Sequence, residues 1–169
     1  KRGSLNKSWQ QKHAAVAVLS TFAETNLKDI PKPICTSLQT MVLHLIEPKN
    51  VTKALKTSGP AYYRVIAMCF RTILALADKI LQKTGQSFLK VVMEYFDPAQ
   101  GYGTTVTYYA TQALACLIGF LRDRHLLPFC PKIFHIPISL LNNSNYTIRN
   151  SALTCLSAIS LNLGSKHFA

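Results

Sequence analysis

Acidic residues are scarce in this chain. Its 169 residues include only 7 Asp and Glu against 19 Lys and Arg, for a formal net charge of +12. So few carboxylates leave little material for general acid–base chemistry: only Glu94 and Asp97 stand at helical spacing, and they flank a loop. An excess of this sign favours acidic partners, whether an acidic protein surface, nucleic acid or an anionic membrane face. A basic piece cut from a longer, better balanced chain would show the same excess.

Other absences narrow the class further. The five cysteines (Cys35, Cys69, Cys116, Cys130 and Cys155) are odd in number and lack C-x-x-C spacing, which argues against a disulfide framework or a structural zinc site. Cys130 and His135 have no third group nearby to make a nucleophile–base or metal set. They read as packed side chains, and the free thiols suit a reducing compartment. His13, His44, His125 and His167 stand alone. Gly101-Tyr102-Gly103 is a bare G-x-G with no strand before it, so no phosphate-cradling motif exists. The longest apolar stretches are interrupted by Arg71, Asp78 and Arg122, which argues against a membrane span, and no apolar run follows Lys1-Arg2 as a signal peptide requires. No catalytic residue, metal ligand or cofactor is expected, and the chain does not read as an enzyme.

What is present is apolar and helical. Hydrophobic residues make up 49% and charged ones 15%, too apolar for disorder, so a packed core is expected. Helical spacing runs from about Ser8, a plausible cap, to Thr25, with Ala15, Val18, Leu19 and Phe22 facing inward. A second helix runs from about Pro33 to Ile46 on Leu38, Met41, Val42 and Leu45, and Glu47-Pro48 stops it. Asn50 to Thr57 suits a short basic turn of helix, and Ser58-Gly59-Pro60 punctuates. A long helix is expected from Ala61 to Lys83, ended by Thr84-Gly85. Shorter ones follow at 87–96, 104–122, 131–141 with Pro137 as a bend, and 146–163 closed by Gly164. The residues 97–103 between them are too rich in Gly and Pro to be helical. Asn50, Asn142 and Asn145 match N-x-S/T but sit in turns, where such residues serve as helix caps. The result is an all-α chain, either a globular bundle or a paired-helix repeat.

Three segments favour the repeat: Ala15-Val-Ala-Val-Leu19, Ala113-Leu-Ala-Cys-Leu117 and Ala152-Leu-Thr-Cys-Leu156. Each sets Ala-x3-Leu within a helix, so that a small residue admits a close neighbour and the Leu one turn on fills the adjoining layer. Ile148-Arg149 precedes the last of them, after the polar turn 142–147. With Pro137 in the preceding helix, this order resembles the HEAT/armadillo α-solenoid superfamily. The resemblance is best at 136–159, fair at 9–22 and 109–120, and poor between. Asn143 and Asn145 stand where that family usually has Asp.

The resemblance implies about four helix pairs in a right-handed superhelix, one helical-repeat domain over 1–169, within a larger parent protein. It also sets the register. Helices near 8–25, 61–83, 104–122 and 146–163 become second helices, and the turns at 1–8, 47–60, 97–103 and 142–147 fall on one edge. That edge gathers Lys1, Arg2, Lys7, Lys12, Lys49, Lys53, Lys56, Arg64 and Arg149 against Glu47 and Asp97. The opposite edge, with its connectors 26–32, 84–87 and 122–132, is less basic. A basic turn edge that opens on a tryptophan is similar to the tubulin-binding TOG subclass, and Trp9 is the only tryptophan here. A Trp flanked by polar residues also suits the end of a core. The expected partner-binding residues are therefore Trp9, Lys12, Lys49, Lys53, Lys56, Arg64 and Arg149, with Tyr102 at the tip of the 97–103 loop. The implied function is a non-catalytic scaffold for an acidic protein surface such as tubulin, cytoplasmic or cytoskeletal. The alternative is a nuclear or ribosome-assembly protein that binds nucleic acid through the same surface.

Overall fold

A computed structural model describes residues 9–25, 30–80, 82–97 and 100–167, with the side chains of 78, 82, 83 and 164–167 excepted. All regular structure among them is helical: α1 Trp9–Thr25, α2 Lys32–Ile46, α3 Pro48–Ser58, α4 Tyr63–Ala75, α5 Gln82–Met93, α6 Thr104–Phe120, α7 Asp123–Leu126, α8 Cys130–Leu140 and α9 Tyr146–His167. Single 3-10 turns fill Gly59–Tyr62, Ala77–Lys79, Glu94–Phe96 and Leu127–Phe129. The all-α expectation is met.

Local chemistry sets most of the boundaries. Pro48 both ends α2 and opens α3: it cannot donate the next helical hydrogen bond, yet its fixed φ suits a first turn. Gly59 sits at φ 58°, a left-handed conformation that costs a side-chain-bearing residue energy, and it turns the chain into α4. Asn145 caps α9, its Oδ1 accepting from the Thr147 amide at 2.9 Å. The expected cap Ser8 lies outside the described residues, as do parts of the 26–32 connector and of the 97–103 loop.

The helices α1, α4, α6 and α9 pack side by side in chain order, α6 against α9 most extensively. They run in the same sense. Arg64 at the start of α4 lies over Trp9 at the start of α1, while Arg71 further along α4 reaches Glu24 near the end of α1. Likewise Thr104 and Tyr108 share a recess with Thr147, and Gly119 meets Asn162 near the far ends of α6 and α9. A second set lies against this layer: α2 on α4, α3 on α2, α5 on α2 and α6, and α8 on α9. The middle helices are the most buried. Phe70, Ile66, Leu114, Leu117 and Ile118 are sealed from solvent, and Ala110 and Ala113 on α6 allow neighbouring backbones to approach.

Several expectations are corrected. The helix foreseen over 61–83 stops at Ala75. Leu76 and Ile80 turn inward, at 1% and 4% exposed, and the intervening corner is held from α2: Gln39 Nε2 donates to the Lys79 carbonyl at 3.1 Å. With its polar groups satisfied and its apolar groups buried, the corner costs little. Gly85 does not end a helix. It lies inside α5, where an added Cβ would come within 2.9 Å of Leu121 Cδ2 and 3.0 Å of Phe120 Cε1, so its absent side chain permits the α5–α6 contact. The foreseen connector 84–87 is thus helical. Gly164 likewise lies within α9.

The inward face of α1 is also displaced. Val16, Ser20 and Ala23 are buried, whereas Ala15 is exposed, Val18 is 67% exposed and Phe22 43%. Helix α1 has α4 as its main neighbour, so only one narrow stripe is covered. The Ala-x3-Leu copies differ accordingly: both residues are buried in α6, Ala152 alone is buried in α9, and Ala15 faces solvent.

Candidate functional site

Parallel packing brings the starts of α1, α4, α6 and α9 to one edge of the layer. None of the four carries an acidic residue in its first turn. Helix N-termini present unpaired amides and a partial positive charge that Asp and Glu ordinarily offset. Here that charge is left to add to the lysines and arginines around it.

At one end of the edge the side chains converge. Trp9 is half-buried, with the Arg64 guanidinium 5.8 Å from its ring centroid and His13 edge-on at 6.4 Å. Lys12, one turn along α1, places its ammonium 5.8 Å over the Tyr62 ring. Lys12 also lines a recess of about 200 Å³ with Lys53, His44, Leu45, Asn50, Ala54, Thr57 and Tyr62. Along α3, Lys49, Lys53 and Lys56 fall at i, i+4 and i+7, hence on one helix face, and all three are exposed. Lys49 is partly neutralised by Glu47 at 2.9 Å, a surface pair worth little. Trp9, Lys12, Lys53 and Arg64 are thus brought together, with Lys49 and Lys56 beside them.

The other two expected residues take different places. Tyr102 is no loop tip. It is 8% exposed, tilted against Tyr95 at 4.7 Å between centroids and edge-on to Tyr63 at 5.9 Å. Gly103 at φ 42° lets the chain turn sharply into α6 just after it, so the ring folds inward rather than out. Behind it, Tyr95 packs edge-on to Phe70 at 4.9 Å and donates to the Ile46 carbonyl. Arg149 lies at the far end of the edge and clamps the turn before its own helix, Nη1 donating to the carbonyls of Asn143 and Ser144 at 2.8 Å each.

Burial keeps the aromatic backing neutral. It pushes the Tyr62 hydroxyl up to about 12, with a smaller contribution from Cys69, and it raises Tyr95 and Tyr102 as well. Burial likewise raises Cys69, Cys130 and Cys155. Among the described residues no group of three His, Cys, Asp or Glu could hold a metal, and no helix is long and apolar enough to cross a membrane.

The sequence reading missed two features. His44 appeared isolated, yet Asn50 Nδ2 donates to its carbonyl at 2.8 Å and faces its Nδ1 at 3.2 Å across the α2–α3 corner. Pro48 was the available signal: read only as a helix stop, it also suits a first helical turn, and a corner that tight returns α3 onto the end of α2. Arg71 and Glu24 form a two-pronged pair, Nε to Oε1 at 2.8 Å and Nη2 to Oε2 at 2.9 Å, that ties α1 to α4. Their separation in sequence gave no local sign of it. Comparison with known proteins adds nothing to this geometry: no family model, no curated protein and no solved structure matches the chain.

Proposed function

We propose that this chain is a non-catalytic interaction scaffold of the HEAT/armadillo type, a right-handed α-solenoid of about four helix pairs that grips an acidic protein surface along its turn edge. The observation that carries the reading is the convergence of Trp9, Lys12, Lys53 and Arg64 at an edge where four parallel helices begin without an acidic residue. A half-buried indole beside cations supplies apolar contact area, and the cations supply steering and register. Tubulin is the sharpest candidate, as an acidic protein gripped by a similar edge in the TOG subclass, and a cytoplasmic or cytoskeletal location follows from it.

The test is binding of the protein to tubulin and to a short duplex DNA, each titrated at low and physiological salt. Saturable tubulin binding that survives physiological salt and weakens about tenfold or more on Trp9→Ala is the expected result, a hot-spot loss of about 1.4 kcal/mol or more. Binding to DNA alone, falling steeply with salt and indifferent to which lysine is removed, would replace the reading with generic polyanion attraction.

A further inference from the structure

The recess at the α1–α3 end of the edge is built more specifically than a basic surface needs. We infer that it is a receptor for a single phosphoryl group carried on a side chain of the partner protein. The inference rests on the acidic-partner reading above and names the group that this part of the edge takes.

Three observations lead there. The first is charge. Lys12 and Lys53 reach the same recess from different helices, α1 and α3. The nearest acid, Glu47, is occupied by Lys49 at 2.9 Å and by Asn50 Nδ2 at 3.3 Å. Two ammonium groups facing one space match a phosphoryl group of charge about −1.5 to −2 better than a lone carboxylate, which would leave one cation unmatched.

The second is a fixed polar wall. The 2.8 Å bond from Asn50 Nδ2 to the His44 carbonyl fixes which end of the Asn50 amide is nitrogen. The same nitrogen lies 3.3 Å from Glu47 Oε2 and 3.2 Å from His44 Nδ1, so Asn50 and His44, which both line the recess, are held against each other across the α2–α3 corner. The two lysines supply the cations for the oxygens of a phosphate ester, and the His44–Asn50 pair supplies a polar wall beside them.

The third is shape and floor. The recess holds about 200 Å³, closed below by Tyr62, which is 2% exposed and whose hydroxyl donates to the Leu45 carbonyl at 3.4 Å. The Thr57 hydroxyl is also committed inward, to the Ala54 carbonyl at 3.0 Å. The polar floor is therefore fixed in place, and the charged donors stand at the rim.

The experiment follows the backbone and Asn50 side-chain amide resonances of the ¹⁵N-labelled protein at matched ionic strength. The probes are inorganic phosphate, N-acetyl-phosphoserine amide and N-acetyl-glutamate amide. Phosphoserine is expected to shift Asn50 and its neighbours saturably and to bind at least ~10-fold tighter than glutamate. Lys53→Gln should abolish that preference, while Lys56→Gln, which removes the same charge one turn outside the recess, should leave it. Equal binding of phosphoserine and glutamate, or equal losses in the two lysine variants, would reduce the recess to generic positive charge. Binding of free phosphate but not of phosphoserine would overturn a partner-borne group. The acidic-partner reading fails separately, on tubulin binding in the wild type and Trp9→Ala, so either claim can fall while the other stands.

Discussion

Arg149 separates a structural use of a basic residue from a binding one. Its Nη1 donates to the Asn143 and Ser144 carbonyls at 2.8 Å each, and its guanidinium lies 5.8 Å from the Tyr146 ring centroid. Arg149→Ala removes both hydrogen bonds. A bond from a charged donor contributes about 1.5 kcal/mol net at the low end, but the side chain is half-buried and water can replace part of that, leaving about 1–2 kcal/mol for the pair. The contact with Tyr146, itself 69% exposed, adds at most about 0.5 kcal/mol. For a chain of this size each kcal/mol lowers Tm by about 2–4 °C, so a loss of about 1–2.5 kcal/mol gives an expected fall of about 2–10 °C. Arg149→Lys keeps the charge, but both bonds come from Nη1 at the end of the longer guanidinium side chain, so a shorter ammonium should recover only part of the loss. Thermal and urea unfolding of the three proteins decide it. If Arg149→Ala melts with the wild type, or Arg149→Lys restores stability fully, the clamp is not what holds the turn and Arg149 returns to the binding edge as a simple charge.

Three further perturbations bear on the packing and the charge. Gly85→Ala should destabilise by about 1 kcal/mol in urea: the helix-propensity gain of up to about 1 kcal/mol is outweighed by an overpacking cost of about 1–3 kcal/mol against Leu121 and Phe120, and a stabilised variant would refute the close approach. Tyr62 and Cys155 have folded values raised by burial to about 12, above reference values of 10.0 and 9.0, so the folded state holds protons that the unfolded state releases. Their contribution is fully present below about pH 9 and should be lost upward from there at up to about 1.4 kcal/mol per pH unit per group; urea midpoints that stay flat to about pH 11 would contradict the burial. Adding NaCl from about 0.01 to 0.1 M, which shortens the screening length from about 30 to about 10 Å, should raise Tm, because like charges at the edge outnumber the surface pairs Lys49–Glu47 and Arg71–Glu24 that salt weakens. A Tm that falls instead would mean that favourable pairs, not repulsion, dominate the field.

Helix content was readable because its signals are local. Apolar stripes at 3.6-residue spacing marked α2, Pro48 and Gly59 marked the corners on either side of α3, and the polar run before Ile148 marked the α8–α9 turn. What escaped depended on neighbours distant in sequence. The break at Leu76 looks helical from its own residues and is stabilised only because Gln39, from α2, captures the Lys79 carbonyl. Gly85 carries the residue type of a helix end, and only the nearness of Leu121 and Phe120 shows it to be a packing position. At the candidate site the lysines were legible as charge. His44 was not, because its orientation comes from Asn50 across a corner whose tightness only the fold reveals. Tyr102 was misplaced for a related reason: a Gly-rich loop suggests exposure, while the aromatic cluster of Tyr63 and Tyr95 waiting beneath it cannot be seen from the loop itself.

Helix direction is what turns scattered basic residues into one field. In an antiparallel bundle, neighbouring helix dipoles point opposite ways, and the positive ends divide between two faces. Here α1, α4, α6 and α9 run in the same sense, with the intervening helices carrying the chain back, so four positive ends share an edge. Each contributes roughly half a unit charge at short range, with no acidic residue in its first turn to offset it. The lysines and Arg64 at the α1–α3 end therefore stand in a background of their own sign. Such an arrangement weakens the fold slightly through repulsion, and the binding of an anion relieves it, so part of any partner's affinity is recovered strain in the free protein rather than new contact. That coupling gives the salt and phosphoserine experiments a common expectation: a bound phosphoryl group should raise Tm more at low salt than at high.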